Sequence, residues 1–197
     1  MARLKPLPED ANPELADTLQ VYKRFMGYVP NSALIMQRRP KLVKALAQMA
    51  AAVWDADSAV DSGFKRLLTY MAGRAHGCQY SMAHAAEAAH RGGVDIAKIE
   101  AVCDYRSSPL YTAAERVALD FAVAAASQPN AVTDELFDQL KQYWTDDEIV
   151  ELTAVVAQSG FINRWSDTLA VPLEPESIEF AEKHLVRHGW HIGKHRS

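Results

Sequence analysis

The residues with the most evident chemistry lie close together in the middle of the chain. Cys78, one of two cysteines, is followed by Ser81 and His84. Composition predicts a helix over 79–91 with Cys78 at its start, where unpaired N–H groups and the helix dipole lower the pKa of a thiol. A thiol, a hydroxyl and an imidazole on one helix could relay a proton. The spacing alone favours a buried cysteine that only packs as a small apolar side chain, and the alternative is a nucleophilic cysteine.

Neither of two further histidine patterns predicts a metal site. The first set of potential ligands matches no compact zinc spacing and consists of His76, Cys78, His84 and His90. The second set recurs at helical spacings near the C-terminus and consists of His184, His188, His191 and His195. Two glycines weaken that helix, so a solvated basic tail is expected there. We expect no metal and no cofactor.

The remaining sequence predicts about nine helices and no strand, because no run of residues alternates convincingly with period two. Two helix starts carry capping boxes, Thr112–Glu115 and Thr145–Glu148. Residues 1–12 are Pro-rich and predict an extended lead-in. A single all-α domain over 13–175 and a C-terminal helix with the basic tail over 176–197 are expected to follow. The connection VPLEPES, which contains two prolines, is expected to be exposed.

Composition narrows the class of protein. The chain has 197 residues, of which 49% are hydrophobic, and a chain of this size buries roughly 70% of its surface without needing disulfides. A net charge of -4 disfavours nucleic-acid binding. No run approaches the ~18 apolar residues of a membrane span, and the N-terminus lacks the apolar region of a secretion signal. We expect a cytoplasmic protein with free thiols.

The central stretch resembles the core motif of the carboxymuconolactone decarboxylase and alkylhydroperoxidase D superfamily, in its peroxidase-related branch. Members carry C-x-x-C with an aromatic residue before the second cysteine and a histidine soon after, and this chain matches at Cys78, Tyr80 and His84. The segment GFINRWSDTLAVPLE resembles the closing N-R…P-L-E signature of the family. The resemblance covers roughly residues 13–175.

The resemblance implies a compact all-α fold that assembles as trimers or hexamers. Hydroperoxidase members use one thiolate to attack the peroxide and the second cysteine to resolve the sulfenic acid, while a glutamate and the histidine move protons. In this chain the second cysteine is Ser81 and the glutamate is Arg66. A peroxidase cycle would therefore need Cys103, a neighbouring subunit or an external thiol to resolve it.

Three functions stay open. The first is a thiol-dependent, antioxidant hydroperoxidase-like oxidoreductase with Cys78 as nucleophile. In it, His84 and Tyr80 assist proton transfer and Ser81 supplies a hydrogen bond.

The second function is a cofactor-free decarboxylase or lactone-processing enzyme of the carboxymuconolactone decarboxylase type. His84 would be its acid–base group, and Arg66 or Arg164 would hold the carboxylate of a lactone substrate. The third is a non-catalytic oligomeric scaffold that has lost the redox pair.

Overall fold

A computed structural model describes residues 2–196. Its regular structure over that range is helical, with ten α-helices, five short 3-10 turns and no strand, so the predicted all-α class is confirmed. The α-helices are α1 Ala16–Met26, α2 Asn31–Met36, α3 Pro40–Val53, α4 Ser62–Ala75, α5 Gln79–Arg91, α6 Ile96–Glu100, α7 Ala113–Ala126, α8 Asp134–Lys141, α9 Asp146–Leu169 and α10 Pro175–His184.

Both predicted capping boxes are present. The Thr112 hydroxyl accepts a hydrogen bond from the backbone N–H of Glu115, whose carboxylate accepts in return from the N–H of Thr112. Thr145 and Glu148 form the same reciprocal pair at the start of α9. These local bonds satisfy N–H groups that a helix start leaves unpaired, which is why the sequence located both boundaries.

The ends of the chain differ from the prediction. The last α-helix begins at Pro175, a residue whose fixed φ suits the first turn of a helix. The lead-in is not simply extended, because it contains a 3-10 turn over Glu9–Ala11 and the N–H of Arg3 donates to the carbonyl of Leu169. The N-terminal segment therefore packs against the end of α9.

The core is built where α4, α5, α7 and α9 meet. Helix α5 presents a face of small residues to it, namely Ala83, Ala85, Ala86 and Ala89. On α4, a Cβ at Gly73 would lie 3.2 Å from the Cβ of Ser81, so glycine allows the two helices to approach closely here. Gly77 makes the turn between them with φ +71°. This packing holds the start of α5 against α4.

A buried lysine connects three helices. Lys65, on α4, is 1% exposed, and its Nζ donates to the carbonyl of Val53 at 2.9 Å and to the Ser58 hydroxyl at 2.6 Å. Its counter-charge is Glu151 on α9, at 3.2 Å. The ion pair therefore joins α9 to α4, and the hydrogen bond to Val53 joins α4 to the end of α3.

Glu151→Gln should destabilise the protein by about 2 kcal/mol. The variant leaves a buried ammonium without its charge partner, and the loss is smaller than for a fully buried pair because the Glu151 side chain is 30% exposed. Burial opposes ionisation, but hydrogen bonds from Ser58 and Lys65 outweigh it and lower the pKa of Glu151. The contribution of Glu151 to the free energy of unfolding is thus fully present above the ordinary carboxyl pKa, and it is lost as the pH falls through the lowered pKa of the folded state.

Urea denaturation of the wild type and the variant, at neutral and at acidic pH, measures this difference. Glu179→Gln, at an exposed position on α10, is the matched control and should leave stability unchanged. An equal deficit of Glu151→Gln at every pH would contradict the argument.

Candidate active site

The thiol of Cys78 lies at the start of α5 as predicted, but it is completely buried. Cys78 is the N-cap residue of that helix, its side chain is 0% exposed, and its backbone N–H donates to the carbonyl of Gly73 at 2.9 Å. Its Sγ lies 3.4 Å from the Ser81 hydroxyl oxygen, to which it donates. Cys78 and Ser81, two of the predicted site residues, are therefore in contact.

The expected fall in the pKa of Cys78 is wrong. Burial raises the pKa of this thiol and the charge of Asp167 adds to the rise, while hydrogen bonds involving Ser81 oppose it. The position at a helix start was correctly predicted, but loss of water around the thiolate outweighs the favourable N–H groups. A proton-accepting group must therefore assist this thiol if it is to react as a thiolate.

His84 belongs to a second hydrogen-bonded group. Its Nε2 lies 2.6 Å from Glu174 Oε2 and its Nδ1 lies 3.3 Å from the Tyr28 hydroxyl. Glu174 is 6% exposed, and its other oxygen accepts from the backbone N–H of Asn31. The Tyr28 hydroxyl also lies 2.9 Å from that of Ser177. Both nitrogens of His84 thus have partners other than Ser81, and the predicted relay through Ser81 is not formed.

Tyr80 lies between His84 and the C-terminal tail. Its ring centroid is 4.3 Å from that of His84 and 5.7 Å from that of His195, and its hydroxyl is 3.5 Å from Glu174 Oε1. Burial raises the pKa of Tyr80 well above its ordinary value, and the nearby Glu174 charge adds to the rise. The phenol therefore stays protonated and acts as a hydrogen-bond donor.

The two arginines predicted to bind substrate have partners other than the thiol. The guanidinium of Arg66 lies over the Trp54 ring at 3.7 Å, and burial together with the charge of Arg91 lowers the pKa of Arg66 to about 10. Arg164 is exposed and lines an open groove of about 750 Å³ along α7 and α9, with His76 and Trp165. Neither arginine hydrogen-bonds to Cys78 within the described residues.

The C-terminal tail is not solvated as expected. Trp190 and His195 are 3% and 1% exposed. The indole N–H of Trp190 donates to the carbonyl of Gln79 at 2.9 Å, and the carbonyl of His195 accepts from the N–H of Leu173 at 2.9 Å. A large apolar side chain in a nominally basic tail is the signal that the tail packs against the protein. It does so at the first turn of α5.

This tail brings three reactive side chains together. The Sγ of Cys78, a carboxylate oxygen of Asp167 and a ring nitrogen of His195 all lie within 4.8 Å of one another. We call these residues the thiol cluster. Oδ2 of Asp167 also accepts from the ammonium of Lys194 at 2.6 Å.

Glu174 was also missed by the sequence reasoning, because the segment VPLEPES was expected to be exposed. Residues 171–174 are buried. The signal that could have identified Glu174 is the P-L-E signature, in which it is the acidic residue.

Known proteins share the family sequence pattern and the fold of this chain. The model of the carboxymuconolactone decarboxylase family matches residues 40–124, which include Cys78 and His84. The debrominase Bmp8, solved as a cysteine-to-alanine variant in complex with 2,3,4-tribromopyrrole, is 27% identical with a TM-score of 0.86, over 91% of this chain and 95% of that one. The alkylhydroperoxidase AhpD core of a peroxidase-related protein from Ralstonia eutropha JMP134 is 19% identical, with a TM-score of 0.77 over 89% and 94% of the two chains.

Residues 40–124 thus match the carboxymuconolactone decarboxylase family, and the fold is that of alkylhydroperoxidase D-like structures. Among proteins similar in sequence, YnjA of Escherichia coli (strain K12) is 34% identical over 77 residues. That match spans 39% of this chain and 42% of YnjA, less than half of either protein. Among the described residues of this chain, no helix has the length and apolar character that a membrane crossing requires.

Glu174→Gln should destabilise the protein by about 2 kcal/mol, the size of one hydrogen bond to a charged group. The amide has the same shape, but it has one accepting oxygen where Glu174 uses two, one towards His84 Nε2 and one towards the Asn31 N–H. Urea denaturation checks this, with Glu176→Gln, an exposed acid on the same helix, as the matched control. Equal stability of the two variants would show that Glu174 does not hold these segments together.

Proposed function

We propose that the protein is a single-cysteine thiol oxidoreductase of the hydroperoxidase type, with Cys78 as its nucleophile. The observation that carries the proposal is the placement of the Cys78 thiol. It caps α5, is shielded from solvent, and has the Ser81 hydroxyl at 3.4 Å. An enclosed thiol favours a small substrate, and a hydroperoxide is the smallest of those under consideration.

The reaction proceeds in two halves. The thiolate attacks one peroxide oxygen, the O–O bond breaks, and the leaving alkoxide takes a proton, which gives an alcohol and a sulfenic acid at Cys78. An external thiol then attacks the sulfenic sulfur and releases water, and a second external thiol reduces the mixed disulfide. Two external thiols are thus oxidised to a disulfide for each hydroperoxide reduced.

An external reductant is proposed because the local resolving position is Ser81. Cys103 is a free, partly buried thiol whose Sγ lies 3.8 Å from the Tyr70 hydroxyl, and burial raises its pKa. A protonated thiol is a poor attacking group, which favours a soluble reductant over Cys103. Assembly as a trimer or hexamer and a cytoplasmic location stay predictions.

A second candidate is removal of halogen from a small aromatic ring. The similarity to Bmp8 over 91% of the chain favours it. Replacement of bromine by hydrogen needs two electrons and a proton, and two thiols can supply both. The same Cys78 thiolate would attack the bromine, the ring carbon would take a proton, and a second thiol would displace bromide from sulfur.

The decarboxylase alternative has less support. It needs a free acid–base nitrogen on His84 beside a carboxylate-binding arginine, whereas both His84 nitrogens already have protein partners and Arg164 is exposed along a separate groove. The non-catalytic alternative predicts that no substrate is turned over, which the following experiment tests.

Cys78→Ser should lose hydroperoxide reduction by roughly 1,000-fold or more, as expected when a covalent nucleophile is removed. Consumption of an alkyl hydroperoxide in the presence of dithiothreitol gives the rate. Cys103→Ser is the matched control, since it removes the other thiol, and it should keep most of the activity. Dimedone labelling followed by mass spectrometry should find the sulfenic acid at Cys78.

Full activity of Cys78→Ser, or no sulfenic acid at Cys78, would overturn the proposal. Release of bromide from a brominated pyrrole much faster than any hydroperoxide is consumed, again dependent on Cys78, would establish the second candidate. If neither activity is found, the non-catalytic scaffold is the function that remains.

A further inference from the structure

The orientation of the His195 ring is defined by one strong hydrogen bond. Its Nδ1 lies 2.7 Å from the carbonyl oxygen of Val171. A carbonyl oxygen can only accept, so Nδ1 carries the hydrogen and Nε2 carries a lone pair. That Nε2 is buried and has no hydrogen-bond partner among the described residues. A buried imidazole is thus held with an available proton acceptor.

The unpartnered nitrogen faces a carboxylate. His195 Nε2 lies 3.6 Å from Asp167 Oδ1. The lone pair of a neutral imidazole and a carboxylate oxygen are both acceptors, so their approach is favourable only when a proton lies between them or on the ring. The arrangement is suited to an imidazolium that forms when His195 receives a proton.

The source of that proton is the Cys78 thiol, whose Sγ lies within 4.8 Å of a ring nitrogen of His195. The S–H group donates to Ser81 at rest, so it must turn towards His195, and the two side chains must approach, before the proton transfers. The other oxygen of Asp167 is bound by the ammonium of Lys194 at 2.6 Å. A second cation, such as a divalent metal ion, would be repelled by Lys194, so the cluster suits proton exchange better than metal binding.

We propose that His195 is the general base that takes the proton from Cys78, and that Asp167 stabilises the imidazolium so formed. The proposal rests on the function proposed above, in that Cys78 is the nucleophile. The S–H bond breaks as the N–H bond forms at Nε2, and the electron pair stays on sulfur for the attack. When the O–O bond breaks, the imidazolium returns the proton to the leaving alkoxide.

The charges around the cluster fit this role. Burial lowers the pKa of His195, partly offset by its bond to Val171 and by the charge of Asp167, so the ring is neutral at neutral pH. The ionisable groups that face the pair are Asp167 from α9 and Lys194 from the tail, with the ring of Tyr80 of α5 tilted against that of His195 at a centroid distance of 5.7 Å. The resting state is thus a neutral thiol beside a neutral imidazole, and charge separates only when substrate reacts.

The second histidine has a different task. His84 is bound on both sides by Tyr28 and Glu174, so it positions Tyr80 and the start of α10. The catalytic base comes instead from the tail, which is fastened across the first turn of α5 by the bond from Trp190 to Gln79.

The test compares His195→Asn with His191→Asn, both in a Cys103→Ser background. The asparagine NH₂ group at position 195 can still donate to the Val171 carbonyl but offers no base in place of Nε2. His191 is an exposed histidine of the same tail and serves as the matched control. The readouts are the rate of sulfenic acid formation in a single turnover and the rate at which acrylamide alkylates Cys78, each measured as a function of pH.

We expect both rates of His195→Asn to fall about 100-fold at neutral pH, as is typical on loss of a general base, and then to rise with hydroxide concentration. His191→Asn should match the parent. In His195→Ala, added imidazole should restore part of both rates, which a purely structural role would not allow.

The outcomes separate this inference from the proposed function. Loss of alkylation in His195→Asn without any hydroperoxide reaction in the parent would support the base and overturn the peroxidase. Parental rates in His195→Asn would overturn the base alone. Loss of thermal stability in His195→Ala without rescue by imidazole would assign His195 a structural role and overturn the inference, as would stoichiometric zinc that protects Cys78 from alkylation.

Discussion

The buried carboxylate of Glu174 needs hydrogen-bond donors, and the donors come from separate segments of the chain that must fold together around it. Glu174 contacts His84 on α5 and accepts from the N–H of Asn31 at the start of α2, while it also precedes α10. A carboxylate left without such partners in a dry interior would cost several kcal/mol. Three separate segments of the chain must therefore come together around this side chain.

The close approach of α4 and α5 provides the second constraint. Glycine at position 73 allows Ser81 to lie against α4, and the carbonyl of Gly73 accepts from the N–H of Cys78. The thiol is thereby placed at a helix start and sealed by packing at the same time. This explains why a position that should favour the thiolate has a raised pKa in this protein.

The sequence located what depends on neighbours in the chain. The capping boxes at Thr112 and Thr145 and the span of α5 follow from bonds within four residues. The contacts of Glu174 and His195 could not be located in this way, because their partners lie about 90 and 24 residues away along the chain. The predicted direction of the pKa shift at Cys78 was wrong for the same reason, since burial is a property of the assembled fold.

The tail that covers Cys78 is held differently from the helices beneath it. Its attachment consists of the buried side chains of Trp190 and His195, the hydrogen bonds of His195 with Val171 and Leu173, and the exposed ion pair between Lys194 and Asp167. A chain end can open locally at a lower free-energy cost than the core, without global unfolding. Release of this segment would uncover the thiol and remove its neighbouring imidazole in one motion. With the tail fully detached, a substrate could reach Cys78 but would find no base beside it. A productive substrate would therefore have to enter past a tail that is only partly displaced.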